Sequence, residues 1–188
     1  QGLKMRIPGL GGEVLQKLGG VPVALTGGEI FTSLQSGAID ATEWVGPYND
    51  LAFGFHKVAE HYYVAGWHEP GAMLEFTVNE SAFNELPQDL QAIVEVATRA
   101  VNQDMLDEYT VRNNAALEQL KNKHGVVLKK FPAEVMFALK QASIEVINEQ
   151  KSKDEMFNRI MSSYQAFQKQ VTDYHNLSEL EYYQNRNR

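Results

Sequence analysis

Hydrophobic positions in the first third of the chain alternate between short strand-like runs and longer helix-like runs. Residues 3–7 alternate apolar and basic side chains, which is the period of a half-buried strand. Further strands are predicted at 21–25 and 38–42, and glycine-bounded helices are predicted to connect the strands, at about 13–19 and at 27–37. Strands and helices that alternate in this way indicate an α/β layer with parallel pairing.

The rest of the chain is predicted to be mainly helical. The predicted elements are a helix within 46–60, strands at 62–66 and 73–79, a long helix at 87–123, a strand at 126–131 and a helix from 132 to about 175. A polar patch at 149–154 is expected to bend the last helix. At 1.5 Å per residue, a helix of about forty residues is too long to pack wholly on one lobe, so it should brace two lobes or contact a partner chain.

Composition and charge narrow the classes of function. The 188 residues are 44% hydrophobic, which is enough for a sizeable core. Lys and Arg total 17 against 24 for Asp and Glu, a net charge of −7, and this argues against nucleic acid or anionic lipid as a partner. Because there is no cysteine, disulfides and thiolate metal sites are excluded. The sequence enters a predicted strand at once without an initiator Met, and we expect it to be a fragment.

Arg6 is the first candidate for ligand binding. It lies at the end of a predicted strand, directly before the glycine-rich run 9–12. A guanidinium group can hold a planar carboxylate through two parallel hydrogen bonds, and the N-terminus of the following helix would add free N–H groups. The alternative is an ordinary surface arginine.

Two further clusters combine acidic and aromatic residues. Glu43 and Trp44 follow the third predicted strand, the place where ligands bind in open α/β sheets. Glu69 offers oxygen to a hard cation such as Na⁺ or Ca²⁺, and the neighbouring His68 can hydrogen-bond an anion. The alternatives are a surface carboxylate, a core tryptophan and a structural histidine.

Familiar catalytic motifs are missing from the sequence. It contains no HExxH zinc motif, no GxSxG nucleophile motif and no phosphate-binding P-loop. The glycines at 9–12 also lack the third glycine of a dinucleotide-binding fingerprint. Nothing in the sequence therefore points to a nucleophilic or nucleotide-dependent enzyme.

Several segments together resemble one protein family. Residues 5–9, 20–25 and 28–43 are similar, in order and spacing, to the solute-binding proteins of tripartite ATP-independent periplasmic (TRAP) transporters, the DctP-like proteins. The resemblance runs from residue 1 to about 150 and includes 80–90. Residues 43–47 and 66–71 look like the branch that binds 2-oxo acids, lactate or related monocarboxylates with a metal ion.

The resemblance implies a fold. It is the α/β, two-lobe fold of periplasmic binding proteins, here as one lobe plus part of the other with a long C-terminal helix, the N-terminal lobe being absent. Residues 1–60 would form the ligand-binding lobe. Residues 61–131 would form the hinge strands, part of the other lobe and a long helix, and residues 132–188 would form a bracing and dimerisation helix.

The resemblance also implies a function and its residues. The protein would be periplasmic and would capture a 2-oxo acid or 2-hydroxy monocarboxylate for import, without catalysis. Arg6 would pair with the carboxylate, Trp44 would shield it from water, and Na⁺ or Ca²⁺ would be held by Glu43, the Trp44 carbonyl and Glu69. The TRAP membrane subunits and a second copy of the chain, joined through the C-terminal helix, would be its partners.

Two other functions are compatible with the residues alone. A metal-dependent enzyme acting on oxo acids would use Glu43 as base and His68 as acid. A dimeric sensor or adaptor would use only the long C-terminal helix, and it would bind no small acid.

Overall fold

The computed structural model describes residues 2–71 and 73–186. The chain divides into two compact units, residues 1–139 and residues 140–188. The boundary falls within one helix. The division predicted from sequence, with boundaries after residues 60 and 131, stays a prediction.

The first unit is built on a parallel three-stranded sheet. Strands β1 (Lys4–Arg6), β2 (Val21–Val23) and β3 (Ala41–Thr42) lie in the order β2-β1-β3. Helices α1 (Gly9–Lys17) and α2 (Gly27–Ser36) connect them, which confirms the predicted α/β layer.

Helix α1 begins earlier than predicted, at Gly9 rather than near Glu13. The glycine-rich run is therefore the first turn of the helix and not a separate turn before it. A Cβ atom on Gly12 would lie only 2.9 Å from the carbonyl oxygen of Ile7 and 3.2 Å from the Pro22 side chain. Glycine here lets the helix approach the end of β1 closely.

Helix α2 carries the core of the sheet layer. The Glu29 carboxylate accepts hydrogen bonds from the backbone N–H of Thr26 at 2.9 Å and from its hydroxyl at 2.7 Å, which fixes the start of the helix. Ile30 is fully buried and forms a core cluster with Ile39 and Phe55. The partly buried residues packed against this cluster are Val23, Leu25, Phe31, Leu34 and Trp44.

Two more strands form a second parallel pair within the first unit. The predicted helix at 46–60 is in fact α3 (Pro47–Ala52) and a 3₁₀ helix (Phe55–Lys57), separated by Gly54, whose φ is +74°. Strand β4 (His61–Val64) follows and pairs with β5 (Val127–Lys130). Between these strands lie the short helix α4 (Glu80–Asn84) and the long helix α5 (Gln88–Asn122).

The strand predicted at 73–79 was wrong. Residues 73–79 have no regular structure, and the side chains of Met73, Leu74 and Phe76 are exposed. A strand needs a neighbour that satisfies its backbone N–H and C=O groups, and within residues 2–71 and 73–186 no strand pairs with this segment. The apolar sequence alone does not supply that neighbour.

The C-terminal region is helical, with a break inside the predicted bend. Helix α6 (Ala133–Lys153) ends before Asp154, and α7 (Glu155–His175) begins after it. The Asp154 carboxylate accepts a hydrogen bond from the Phe157 N–H at 2.8 Å, which caps the new helix. A π-helical turn (Asn176–Leu180) and α8 (Glu181–Asn185) follow.

Among the helices of the described ranges, none combines the length and the apolar character that crossing a bilayer requires.

Candidate functional site

Arg6 and Glu43 meet at one end of the sheet. The parallel register pairs Arg6 with Thr42, so Glu43 comes directly after the strand beside Arg6. The Arg6 Nη1 group forms an ion pair with Glu43 Oε1, and the Arg6 Nε–H donates to the Leu25 carbonyl at 3.2 Å. The two side chains are only 12% and 14% exposed. The structure therefore holds an arginine at the place predicted for a carboxylate ligand, with Glu43 as its present partner.

His68 and Glu69 complete this end of the molecule. His68 Nε2 lies 3.5 Å from the second carboxylate oxygen of Glu43, and Glu69 Oε1 accepts a hydrogen bond from the Met73 N–H at 3.1 Å. A cavity of about 260 Å³ opens here, and its walls are Ile7, Pro8, Gly11, Glu43, His68 and Glu69. Residues that are distant in sequence thus lie around one small space.

The Trp44 ring packs against the Arg6 side chain of the site. The Arg6 guanidinium lies 5.2 Å from the centre of the Trp44 ring, a cation–π contact, and the ring packs against Phe53 at 5.3 Å. A Cβ atom on Gly27 would come within 2.6 Å of this ring, so glycine is required for α2 to pack here. The indole Nε1 is buried without a hydrogen-bond partner among the described residues. Trp44 is not among the cavity walls, and shielding of a ligand by its ring stays a prediction.

The chemistry of the cavity suits a hard cation. Glu43 and Glu69 both line the cavity, and Na⁺ and Ca²⁺ take oxygen ligands such as carboxylates. Within the described residues, no group of three or more His, Asp or Glu side chains forms a metal cluster. Two carboxylates fit such an ion when carbonyl oxygens or water supply its other ligands, and the Trp44 carbonyl is the one that the resemblance implied.

Sequence reasoning missed a buried carboxylate beside the site. Asp50 in α3 is only 8% exposed and accepts a hydrogen bond from the Tyr62 hydroxyl. The pKa of Asp50 is raised to about 6: burial raises it most, the Tyr62 hydrogen bond opposes that rise, and the nearby charge of Glu43 adds to it. The sequence feature that could have indicated this buried carboxylate is an aspartate within a mainly aromatic and apolar stretch.

A second cavity, of about 300 Å³, lies at the start of the β4–β5 pair. The rings of His56 and His124 are 4.1 Å apart and both line it. Burial lowers the pKa of His56, and the neighbouring His124 and Lys57 lower it further.

We expect acidification to destabilise this region. Because the pKa of His56 is lowered in the folded state, its contribution to stability is present above the unfolded pKa of 6.5 and is lost as the pH falls. His56→Gln should therefore reduce the loss of thermal stability measured between pH 7.5 and pH 5.5, while the matched change in exposed His61, His61→Gln, should not. Equal pH profiles for His56→Gln and the unmodified protein would contradict this expectation.

The fold and site define a class of protein. An α/β layer with a largely buried arginine–glutamate ion pair, beside a small cavity lined by two glutamates at one end of a parallel sheet, is typical of a protein that binds small anions. Residues 1–154 match the family model described as bacterial extracellular solute-binding protein, family 7 (DctP). The chain therefore belongs to the DctP family of solute-binding proteins, as the resemblance implied.

Several similar proteins have names or solved structures that state what they bind. The chain is 43% identical, over 97% of its length, to a protein of Nostoc sp. named monocarboxylate 2-oxoacid-binding periplasmic protein. It matches crystal structures of TRAP periplasmic solute-binding proteins from Colwellia psychrerythraea, with bound calcium and pyruvate, and from Pseudoalteromonas atlantica, with bound sodium and pyruvate. Their TM-scores are 0.93 and 0.92 and their identities 45% and 40%, and 98% of this chain is covered in each case.

A third similar structure also contains calcium, and all of these proteins are longer than this chain. The chain is 39% identical, at a TM-score of 0.89, to a TRAP solute-binding protein from Bordetella bronchiseptica, described as a mixed-occupancy dimer with calcium and picolinate in its active site. This match covers 98% of the chain and 55% of that structure. The chain spans about half the length of the proteins that it matches, 50% of the Nostoc protein and 56% of the Colwellia structure.

Proposed function

We propose that this chain is the ligand-capturing part of a periplasmic TRAP solute-binding protein that binds a 2-oxo acid, such as pyruvate, together with Na⁺ or Ca²⁺. The observation that carries the proposal is the Arg6–Glu43 pair beside a cavity walled by Glu43, His68 and Glu69. Named relatives that bind pyruvate with calcium or sodium support it.

Each side chain has a proposed role in capture. Arg6 pairs with the ligand carboxylate, and His68 donates a hydrogen bond to a ligand oxygen. Glu43, the Trp44 carbonyl and Glu69 hold the cation, whose charge neutralises ligand and carboxylate oxygens when it is bound. Burying a charged acid in a small cavity is costly unless it is paired and hydrogen-bonded, so an arginine and a cation are both needed.

Capture is proposed to take place without chemical change of the acid, and the loaded protein would then deliver it to the TRAP membrane subunits. Glu43 is already engaged by Arg6, which disfavours it as the free general base of the enzyme alternative. Conversion of pyruvate by the purified protein, followed by nuclear magnetic resonance, would overturn this part of the proposal.

The direct test is ligand binding by the full-length natural protein. Thermal melting is measured with pyruvate, a longer 2-oxo acid, lactate and a dicarboxylate, each with Na⁺, with Ca²⁺ or with chelator, because a ligand that binds the native state raises its melting temperature. A cation-dependent rise with a monocarboxylate is expected. No rise with any acid would reject the proposal and favour the sensor or adaptor alternative.

Dimerisation through the C-terminal helix is a further part of the proposal. Helix α7 carries an exposed apolar stripe formed by Met156, Ile160, Tyr164, Phe167 and Tyr174. These positions are separated by three, four or seven residues, so they share one helix face, and such a face is stable when a second apolar surface covers it.

We expect the substitution Ile160→Glu to weaken dimerisation by about 100-fold or more, because it places a charge in the centre of the stripe. The dimer–monomer equilibrium is measured by analytical ultracentrifugation. The matched control is Ser162→Glu, which adds the same charge on the opposite face of α7 and should leave the dimer intact. A monomeric unmodified protein would instead favour a helix packed within its own chain.

A further inference from the structure

The Arg6 guanidinium has two edges that can each grip a carboxylate with two hydrogen bonds, and both are partly occupied. One edge combines Nε with a terminal nitrogen, and the Leu25 carbonyl accepts the Nε–H at 3.2 Å. The other edge combines the two terminal nitrogens, and Glu43 holds Nη1. A ligand carboxylate therefore finds no free two-pronged edge on Arg6.

The two occupants differ in how easily they can leave. The Leu25 carbonyl belongs to the backbone between β2 and α2, close to the buried core, and Leu25 itself packs against that core. Glu43 is a side chain that can rotate away. The edge made of the terminal nitrogens is consequently the one that a ligand would use, and Glu43 must leave it first.

Glu43 is also chemically equivalent to the ligand group that would replace it. Both are carboxylates, and both neutralise the same guanidinium; the Arg6 and Glu43 side chains are only 12% and 14% exposed. An ion pair is stronger away from water, so the Glu43 carboxylate is an effective competitor for Arg6.

The other carboxylate oxygen of Glu43 lies beside His68, which also lines the cavity. It lies 3.5 Å from His68 Nε2, and Glu43 and Glu69 line the same space of about 260 Å³. When Glu43 ligates a cation in this space, its carboxylate no longer neutralises Arg6 fully. The guanidinium then becomes available to an incoming acid. The two binding events are thus linked through one side chain.

We propose that Glu43 is a built-in competitor that occupies Arg6 in the ligand-free protein and makes acid binding conditional on the cation. This inference rests on the proposed function and adds to it a reason for selectivity. An acid without the cation meets an arginine that is already paired, so capture requires both.

The test compares pyruvate affinity with and without cation, by isothermal titration calorimetry on the full-length natural protein. For the unmodified protein, saturating Na⁺ or Ca²⁺ should tighten pyruvate binding by about tenfold or more, which is a common size of coupling between two ligands. For Glu43→Gln this effect should fall to less than about threefold, and binding in cation-free buffer should be about tenfold tighter than that of the unmodified protein in the same buffer.

Glu69→Gln is the matched control, because Glu69 lines the same cavity and has no hydrogen bond to Arg6 among those of the described residues. It should weaken the cation effect without tightening cation-free binding. If Glu43→Gln does not fold, as judged by circular dichroism, Glu43→Ala removes the same competitor.

Different results would overturn the competitor role of Glu43 and the proposed function. A folded Glu43 variant whose cation-free affinity is equal to or weaker than that of the unmodified protein would overturn the competitor role and leave the proposed function standing. Failure of the unmodified protein to bind pyruvate with any cation would overturn the proposed function and, with it, this inference.

Discussion

Arg6→Ala is expected to weaken pyruvate binding by about 100-fold or more, because truncating one member of a buried charge pair typically costs 2–5 kcal/mol. The guanidinium is the only proposed cationic side chain for the ligand carboxylate in the site, and alanine would leave that carboxylate and Glu43 without it. Calorimetric titration of the full-length protein with pyruvate at saturating Na⁺ or Ca²⁺ measures the effect.

Two control variants separate this role from a general loss of stability. Arg112 has the same kinds of neighbour as Arg6, since it pairs with Glu108 and lies 5.3 Å from the centre of the Tyr48 ring, but it lies on α5 and its partner Glu108 does not line the cavity. Arg112→Ala should leave pyruvate affinity unchanged. Arg6→Lys should restore only part of the affinity, because a lysine ammonium does not reproduce the two-pronged contact. Unchanged affinity in Arg6→Ala would remove Arg6 from the proposed site.

Asp50→Asn is expected to stabilise the protein at neutral pH. Burial raises the pKa of Asp50 to about 6, against an ordinary value of 3.8, so the native state holds a proton more tightly than the unfolded chain does. The stability that this proton contributes is complete below about pH 4 and is lost as the pH rises through 6. A difference of about two pKa units corresponds to about 3 kcal/mol.

The measurement is the free energy of unfolding in urea at several values between pH 4 and pH 7. Asparagine keeps an oxygen that accepts the Tyr62 hydrogen bond and removes the charge. The free energy of unfolding of Asp50→Asn should therefore fall less than that of the unmodified protein as the pH rises from 4 to 7. Asp104→Asn, at an exposed position on α5, is the control and should keep the original slope. If the free energy of unfolding of Asp50→Asn changed with pH as steeply as that of the unmodified protein, Asp50 would not be the group whose charge is costly to bury.

The Asp50 and His56 effects have opposite signs, and this makes them separable. Raising the pH weakens the contribution of Asp50, whereas lowering the pH weakens the contribution of His56. The single variants are therefore compared individually before any combined variant is made.

Local sequence determined the order of the elements in the sheet layer and the residues available to the site. Alternating apolar positions and glycine boundaries are local properties, so they predicted β1, α2 and the helical region that contains α5. Parallel pairing followed from the strand and helix order, and it placed Arg6 and Glu43 at the same end of adjacent strands.

Only the tertiary structure decided which side chains meet and which segments find partners. The Arg6–Glu43 pair joins residues 37 positions apart, and Asp50 is buried and hydrogen-bonded to Tyr62, which lies on the following strand. The apolar segment 73–79 is not a strand, because strand formation depends on a neighbouring strand and not on the segment's own composition. Side-chain contacts and burial arise from the whole packed chain, so no local pattern encodes them.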